Sequence, residues 1–490
     1  MQTLKTIGNK LDASLSSRLS PEKLNSHKKD IYKKTLFGLD QERDLVKISK
    51  AYMAIVGDGS GGIFSTNSLE DSNEWKVFGR SDLKEGNFDL VMTNPPFGKD
   101  IKVVGALLDH YDLSKFYDKG GKSRVKRNAV RPSVLFLERC YQLAKSNTGR
   151  IAIVLPVGDL SNDEDRHVKE WILSNATVEA VVQLPSETFQ PYTGTQTCLL
   201  FLKKKMHAGK YNVFMSQVET VGKNQRGKPI FKRNDDGSLI EDKDGKHILD
   251  DQLVDVIADY ENFLSGKKKT SKSLSFVVES SNLIHSLLPN FHNPRNSAKL
   301  PSSLTITHKK LDELTLDVYT PPRTKRVYVE KKYGVPFLSG THITQFIPQN
   351  LKFISKTETK DVQKYVVHEG DIVTTRVGTM GIVRLIGEEL DGYAVSDNIN
   401  IIKVDRSKID PEYLYSVLIS AFGQNSVKKV QKGSVQNYNT PKSLKGILIP
   451  IISEPQYSEV VNNVKESEKK RVQSVYEILK ASDSLNSYFK

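Results

Sequence analysis

The chain has 490 residues, 38% of them hydrophobic, which is enough for about two to four domains with their own cores. No apolar run approaches the length of a membrane span, and the N-terminus lacks the apolar centre of a secretory signal, so composition excludes membrane-spanning helices. The 72 Lys and Arg against 58 Asp and Glu give a net charge of +14, which favours a polyanionic partner such as nucleic acid. The two cysteines, Cys140 and Cys198, lie in apolar runs, which predicts a reduced, cytoplasmic protein.

A short strand that ends in an acidic residue is the first predicted element with a chemical role. Residues 37–40 favour a strand, and residues 42–56 carry apolar side chains at helical spacing, so Asp40 lies between the two. A carboxylate at the carboxyl end of a strand can accept hydrogen bonds from both hydroxyls of a ribose, which makes Asp40 a candidate for binding an adenosyl cofactor. The alternative, a helix N-cap, uses the same geometry and stays open.

The most informative motif is Asn94-Pro95-Pro96-Phe97, which follows the strand-like run 88–93. Two prolines end ladder pairing and rigidify the backbone, so Asn94 is displayed at the strand's carboxyl end, where a doubly wound sheet binds ligands. The Asn94 carboxamide oxygen and a neighbouring carbonyl can accept from an exocyclic amino group, while Phe97 stacks on the base. This chemistry suits N6 of adenine; the alternative is a surface turn after an edge strand.

Helices and apolar strands alternate after this motif. The predicted elements are a helix from residue 131, a strand at 151–156, a helix at 165–174, and strands at 178–185 and 197–202. Continuous apolar strands between helices indicate an α/β sheet that is covered on both faces. The polar stretch 223–251, with Asp-Asp-Gly as its turn, predicts one exposed hairpin.

Short strands and turns replace the long helices from about residue 289. This change predicts a second region of mixed α+β structure. The final segment, 455–490, is helical by composition, with apolar residues near heptad spacing. The heptad pattern is interrupted at Glu468.

Asn-Pro-Pro-Phe-Gly after a strand resembles the catalytic motif of amino-methylating DNA methyltransferases, particularly the modification subunits of type I restriction systems. Gly-Leu-Asp-Gln-Glu at 38–42, followed by a helix, is similar to the family's second cofactor motif. The resemblance implies a Rossmann-like fold, S-adenosylmethionine as cofactor and adenine N6 as target. It places Asn94, Pro95, Pro96 and Phe97 at the catalytic centre and Asp40 at the cofactor, and it requires no metal.

The same resemblance implies further residues around the cofactor and the base. In the run 63–69, Asn67 stands where the family has an aspartate near the cofactor's adenine, and Leu69 belongs to the same run. Phe189 and Tyr192 lie where family members line the base pocket. For either aromatic residue, a role in the core or as a loop anchor is the alternative.

One family motif has no counterpart in the sequence. In the family, a strand bearing an Asp-Pro-x-x-Gly-x-Gly loop precedes the acid that corresponds to Asp40. We therefore expect a partial Rossmann-like methyltransferase sheet that lacks its first strand and loop, with an unpaired edge and an open cofactor pocket. A second copy or a companion subunit is expected to supply the missing loop; the alternative is that the chain is a truncated or mis-started remnant of the enzyme. Any nuclease is expected on another chain.

Three C-terminal segments resemble, in the same order, a target-recognition domain of a type I specificity subunit. They are 335–343, 369–378, and 433–438 before 447–450. Such a domain presents loops from a rigid sheet into the major groove of double-stranded DNA. The candidate DNA-binding residues are Arg376, Lys428, Lys429, Lys432, Gln436 and Asn437. For each of them, a phosphate contact or a plain surface position is the alternative to reading a base.

Four segments are predicted. They are a partial methyltransferase domain (1–215), a hairpin and helical extension with a linker (216–285), a DNA target-recognition domain (286–455) and a C-terminal helix for spacing or dimerisation (456–490). The predicted function is site-specific methylation of adenine N6 within a restriction-modification system. The main alternative is a catalytically incomplete specificity subunit that needs a partner's cofactor loop. A combined restriction and modification enzyme, and an RNA or protein-glutamine methyltransferase, also stay open.

Overall fold

Two compact units make up the chain. The first consists of residues 1–155, 167–179 and 200–209, and the second of residues 156–166, 180–199 and 210–490. The structure is a computed structural model that describes residues 20–55, 62–98, 101–117, 123–267, 274–294, 306–377, 381–429 and 439–489. Within these ranges, no helix combines the length and the apolar character that crossing a membrane requires.

The first unit alternates short strands with helices. Its elements up to the unit boundary are α1 (Pro21–Thr35), β1 (Gly38–Asp40), α2 (Arg43–Ile55), β2 (Ile63–Ser65), β3 (Leu90–Thr93), β4 (Val103–Val104), β5 (Lys115–Tyr117), β6 (Arg124–Lys126), β7 (Ala129–Val130), α3 (Pro132–Leu143) and β8 (Arg150–Pro156). Strands β1 and β2 form a parallel pair in which Asp40 lies opposite Ser65. Helix α3 begins at Pro132, whose fixed φ suits the first turn of a helix.

Strands β3 and β8 form the second parallel pair of this unit, with Leu90 opposite Arg150. Helix α3 buries Leu135 completely, as the apolar run in the sequence predicts. In the part of the chain that the structure describes, no strand pairs with the other edge of β3. On this strand Leu90 is 48% exposed and Met92 is 54% exposed. Among the described residues of the unit, this edge of β3 is therefore open.

The middle of the chain contributes to both units. Its elements are α4 (Val157–Ser161), α5 (Arg166–Asn175), β9 (Thr177–Gln183), β10 (Thr197–Lys203), β11 (Asn212–Gln217), α6 (Leu253–Leu264), β12 (Ser275–Glu279) and α7 (Pro289–His292). Within the second unit, β11 pairs in parallel with β9 and antiparallel with β12. Nearly all side chains of β9 and most of those of β11 are buried, as their continuous apolar sequences predict.

The polar stretch 220–251 forms three hairpin turns, so the prediction of a single hairpin is wrong. The turns lie at 224–227, 234–237 and 242–245, and each ends in a glycine with positive φ. Three backbone hydrogen bonds join the strands of these hairpins at their base. The Gly222 amide donates to the Asp250 carbonyl, the Asp250 amide to the Ile230 carbonyl, and the Ile230 amide to the Gly222 carbonyl. The sequence carries the turn signal Asn/Asp-x-x-Gly three times, and the prediction used only one of them.

Short strands and helices build the rest of the second unit. They are β13 (Ile306–Lys310), β14 (Thr315–Tyr319), β15 (Tyr328–Val329), β16 (Gly334–Leu338), β17 (Lys352–Ser355), β18 (Ile372–Thr375), β19 (Val383–Leu385), β20 (Ala394–Val395), β21 (Ile399–Val404), α8 (Pro411–Ile419), α9 (Ala421–Lys429), α10 (Pro441–Lys445), β22 (Leu448–Ile452) and α11 (Gln456–Tyr488). One sheet has the order β14-β21-β18-β19, and another has the order β15-β17-β16-β20. Ile402, Leu414 and Val461 belong to one buried cluster that joins β21, α8 and α11.

The C-terminal helix α11 is continuous through Glu468, where the heptad pattern is interrupted. Glutamate is a good helix former, so it can break an apolar seam without ending the helix. Glu468 pairs with Arg471 at 2.8 Å, and Arg471 also pairs with the buried Glu389 at 2.7 Å. Val461 and Val475 are the buried apolar residues of this helix. Ion pairs and buried apolar side chains therefore attach the first two-thirds of α11 to the rest of the second unit.

Candidate functional site

The segment after β3 presents the motif that the sequence singled out. β3 ends at Thr93, and the following prolines have no amide hydrogen with which to continue the pairing. Pro95 is buried and Phe97 is half-buried, whereas Asn94 is exposed. The Asn94 carboxamide makes no hydrogen bond with any residue in the described ranges. Its oxygen is therefore available to a ligand.

Asp40 lies at the carboxyl end of β1, as predicted. Its Oδ1 accepts a hydrogen bond from the Glu42 amide at 2.8 Å, just before α2 begins. Its backbone carbonyl accepts from the Thr66 amide at 3.0 Å. The Asp40 carboxylate thus satisfies an amide at the start of the helix, while Oδ2 has no partner within the described parts of the chain. The two roles considered for this residue are therefore compatible.

The loop after β2 carries Asn67 and Leu69. The Leu69 amide donates to Asn67 Oδ1 at 3.1 Å, and the Glu70 amide donates to the Asn67 carbonyl at 3.1 Å. These bonds engage the side-chain oxygen of Asn67 and leave its amide group as a donor. Adenine offers ring nitrogens as acceptors, so this asparagine can serve an adenine edge without the charge of an aspartate.

One cavity brings these residues together. Its volume is about 670 Å³, and small-molecule sites typically span about 300–1,000 Å³. The predicted catalytic and cofactor residues all line it, namely Asp40, Asn67, Leu69, Asn94, Pro95, Pro96 and Phe97. Gln41, Lys102 and Phe136 are among the other lining residues. Three segments that are distant in the sequence thus meet just beyond the ends of β1, β2 and β3.

A buried arginine, which the sequence analysis missed, holds the loop after β2. Arg139 lies within α3 and is 2% exposed. Its Nη2 donates to the carbonyls of Leu69 at 3.0 Å and Glu70 at 2.7 Å, its Nε donates to the Tyr111 hydroxyl at 2.9 Å, and its Nη1 pairs with Glu85 at 2.6 Å. A charge inside the apolar run 132–143 is the signal that could have found it, because a buried charge needs partners.

Two buried aromatic rings complete the surroundings of Arg139. The Tyr111 hydroxyl donates to the Leu69 carbonyl at 2.6 Å. The Arg139 guanidinium carbon lies 5.3 Å from the centre of the Tyr111 ring and 5.6 Å from that of Trp75. Burial raises the pKa of Tyr111 above its ordinary value, so its hydroxyl stays protonated and continues to donate. The buried side chains of Arg139 and Tyr111 therefore hold the backbone of the loop that carries Asn67 through hydrogen bonds.

The two cysteines are buried and free. Burial raises the pKa of the Cys140 thiol to about 12, so this thiol is protonated at neutral pH. Methylation of cytosine C5 requires an ionised thiolate as nucleophile. Cys140 is therefore unsuited to that chemistry.

The two predicted base-pocket residues lie in the second unit. Tyr192 is 95% exposed, and Phe189 is partly exposed. The amides of Tyr192 and Thr193 both donate to the Phe189 carbonyl at 3.1 Å, which makes the segment a compact turn. The ring of Tyr192 is accessible for stacking, and the assignment of both residues to a base pocket stays a prediction.

The predicted DNA-binding residues also lie in the second unit. Arg376 follows β18, and its amide donates to the Asn398 carbonyl at 2.8 Å. Lys428 and Lys429 form the end of α9. Lys432, Gln436 and Asn437 lie outside the described residues. The assignment of this set to DNA binding stays a prediction.

Two family models match the chain over separate stretches. Residues 18–251 match a model described as N-6 DNA Methylase. Residues 316–456 match a model described as Type I restriction modification DNA specificity domain. The first match includes every residue that lines the 670 Å³ cavity. The second includes Arg376 and the end of α9.

Individual proteins match parts of the chain. The type I restriction enzyme EcoEI methylase subunit of Escherichia coli is 28% identical over 117 residues, or 24% of this chain and 21% of that protein. Among solved structures, the type I methyltransferase subunit from Streptococcus thermophilus is 16% identical and has a TM-score of 0.35, covering 51% of this chain and 46% of that one. The type IIG restriction endonuclease BpuSI is 13% identical and has a TM-score of 0.38, covering 88% and 54% respectively.

The chain spans about a fifth of the curated relative and about half of each of these two solved chains. The order of the two family matches agrees with the order of the two resemblances found in the sequence. The methylase match covers the motif at Asn94, and the specificity match covers most of the region of short strands. The chain therefore carries, in this order, a stretch that matches the N-6 DNA Methylase model and a stretch that matches the Type I restriction modification DNA specificity domain model.

Proposed function

We propose that this chain methylates adenine N6 at specific sites in double-stranded DNA, with S-adenosylmethionine as cofactor, as part of a restriction-modification enzyme. The observation that carries the proposal is the single cavity in which Asp40, Asn67 and the Asn94 motif meet. The methylase and specificity matches support the reaction and the substrate class. We also propose that the chain divides into the four predicted segments, which end at residues 215, 285, 455 and 490.

The residues along one side of the cavity fit an adenosyl group. Asp40 Oδ2 can accept from ribose hydroxyls, and the Asn67 amide can donate to a ring nitrogen of adenine. Leu69 adds an apolar contact for the flat ring, and Arg139 holds its backbone in place. S-adenosylmethionine, when bound, would supply an electrophilic methyl group.

The motif after β3 suits the target adenine on the other side of the cavity. The Asn94 oxygen and the Pro95 carbonyl can accept both hydrogens of the N6 amino group. Accepting these hydrogens withdraws the nitrogen lone pair from ring conjugation and directs it toward the methyl donor, which is a positioning and electrostatic effect. Phe97 would stack on the base after it rotates out of the duplex.

A groove beside β3 supports the proposal that another chain completes the site. A smaller cavity of about 230 Å³ is lined by residues 37–39 and by residues 90–93, with Phe136, Cys140 and Leu143 of α3 beneath them. Within the described ranges, β1 pairs only with β2, and β3 pairs only with β8. An extended segment in this groove could hydrogen-bond to a free strand edge. We infer that a companion subunit or a second copy inserts a strand here.

The same groove favours a second candidate function. Without the inserted strand, the cofactor's methionine half would lack the loop that faces it in relatives. The chain by itself would then act as a DNA-binding specificity component without methylating activity. Methyl transfer by the purified chain, measured with and without its companion, separates these two functions.

We expect the isolated chain to bind S-adenosylmethionine with roughly millimolar rather than micromolar affinity, a difference of about 4 kcal/mol. Among the described residues, the proposed cofactor-binding side chains, Asp40 and Asn67, would both contact the adenosyl half. Isothermal titration calorimetry measures this affinity directly. Asp40→Ala should weaken it further. Asp44→Ala should not, because Asp44 is exposed and pairs with Lys47 on the surface of α2. Micromolar binding by the isolated chain would rule out the need for an inserted strand.

A further inference from the structure

Three arginines gather around one buried carboxylate in the second unit. The Asp397 side chain is 8% exposed; its Oδ2 accepts from Arg323 Nε at 3.0 Å, and its Oδ1 accepts from Arg326 Nη2 at 2.7 Å. Arg376 Nη1 reaches the Asp397 carbonyl at 3.5 Å. Positive side chains therefore outnumber the carboxylate three to one. Arg323 and Arg326 were not among the residues that the sequence assigned to DNA.

The loop that carries Arg323 is anchored on both sides of it. The hydroxyl of the fully buried Tyr365 donates to the Pro322 carbonyl at 2.5 Å. The same hydroxyl lies 2.5 Å from Thr324 Oγ1. Thr320 donates to the buried Asn400 side chain at 2.7 Å. The backbone position of Arg323 is thus set by the core of the domain.

Arg323 and Arg326 differ in how much of each side chain faces solvent. Arg326 is 22% exposed, and its guanidinium carbon lies 5.1 Å from the centre of the Phe337 ring. Its pairing with Asp397 is therefore mainly structural. Arg323 is 81% exposed, and its two Nη groups make no hydrogen bond with a described residue. Asp397 already has Arg326 as a largely buried partner, so the stability of the fold gives little reason for a second arginine that is exposed.

A guanidinium that is held through Nε and presents its Nη fork to solvent has the geometry that binds a phosphate. Burial alone would raise the pKa of Asp397, but the hydrogen bond from Arg323 and the charge of Arg326 lower it below its usual value. Asp397 therefore stays ionised and keeps Arg323 oriented at neutral pH. Holding the side chain in advance reduces the entropy lost on binding.

We propose that Arg323 binds a backbone phosphate of duplex DNA and that Asp397 is a positioning residue that orients it. The inference rests on the proposed function, in which the second unit recognises DNA, and it adds a contact on the loop 320–326. Lys325, exposed in the same loop, adds to the positive potential.

The test uses the full chain and fluorescent duplexes of varied sequence, with anisotropy measured at several salt concentrations. Arg323→Ala should weaken binding about tenfold on every duplex and lower the salt slope by about one. Arg406→Ala is the matched control, because Arg406 is an exposed arginine at the opposite end of β21, roughly 20 Å from Asp397. It removes the same charge and should change affinity less than about twofold.

Asp397→Asn separates orientation from simple charge. It makes the chain more positive, so a purely electrostatic role predicts tighter DNA binding. A positioning role predicts weaker binding, and no further weakening when Arg323 is already alanine. Arg323→Lys keeps the charge without the fork and should lie between Arg323→Ala and the unmodified chain, with an unchanged salt slope. Melting temperatures establish that each variant is folded.

Three results would overturn the inference. They are equal effects of Arg323→Ala and Arg406→Ala, tighter binding by Asp397→Asn, or an Arg323→Ala effect confined to one base pair, which would indicate base reading. Failure of the unmodified chain to bind any duplex would instead contradict the proposed function, and the inference with it. That failure is visible before any variant is made.

Discussion

Asn94→Ala is expected to lower the rate of methyl transfer by about 10²–10³-fold, as removal of a single preorganised group that acts on the transition state does in other enzymes. DNA binding should be nearly unchanged, because the Asn94 oxygen is needed only when the amino group attacks. Transfer of labelled methyl groups to DNA by the active assembly measures the first effect. Anisotropy with the same duplex measures the second.

Asn73→Ala is the control for loss of an exposed carboxamide in the same unit. The Asn73 side chain donates to Asp71 and does not line the 670 Å³ cavity, so activity should stay within about twofold of the unmodified rate. Phe97→Ala should remove stacking worth about 1–3 kcal/mol. Equal loss of binding and turnover in Asn94→Ala would show instead that the motif is a structural turn.

Arg139→Ala is expected to destabilise the first unit by roughly 2–5 kcal/mol, because each buried polar group that loses its only partner costs about 1–3 kcal/mol. The substitution leaves the carbonyls of Leu69 and Glu70 without their donor and opens space beside Trp75. The loop with Asn67 should loosen, so cofactor binding should fall as well. Urea unfolding followed by tryptophan fluorescence measures the first unit alone, because both tryptophans, at 75 and 171, belong to it.

Arg150→Ala is the matched control for Arg139→Ala. Arg150 pairs with Glu179 at 3.0 Å in the same unit, but its side chain is 57% exposed, so its loss should cost less than about 1 kcal/mol. Similar free energies of unfolding for the two variants would contradict the structural role assigned to Arg139. Arg139→Lys should fall between them, because an ammonium cannot reach all of the acceptors that a guanidinium fork reaches.

Residue positions that depend on immediate neighbours in the sequence were predicted well. Asn94 follows a strand and precedes two prolines, and Asp40 lies between a strand and a helix; both patterns are local. The structure has both residues at strand ends and in one cavity. The three turns in 224–245 also have local signals, and their number was missed only because two of the repeats were overlooked.

Residues whose role depends on distant partners were missed. Arg139 binds the carbonyl of Leu69, which is 70 positions away in the sequence. Arg323 binds Asp397 across 74 positions. The charge of Arg139 inside the apolar run 132–143 is a local signal, but it does not identify the partners of Arg139. Arg323 has no local signal, and only its anchored loop and its pairing with Asp397 distinguish it.

The sequence by itself identified the candidate residues for the proposed chemistry, because the strand-ending motif at Asn94 and the acid at Asp40 need only a few neighbouring residues to take their conformation. It also determined the order of a methylase segment and a specificity segment along the chain. Only the tertiary structure decided that these residues line one cavity and that Arg139 holds the loop beside it. Such contacts follow from the packing of whole elements, because a buried charge is defined by what surrounds it in space.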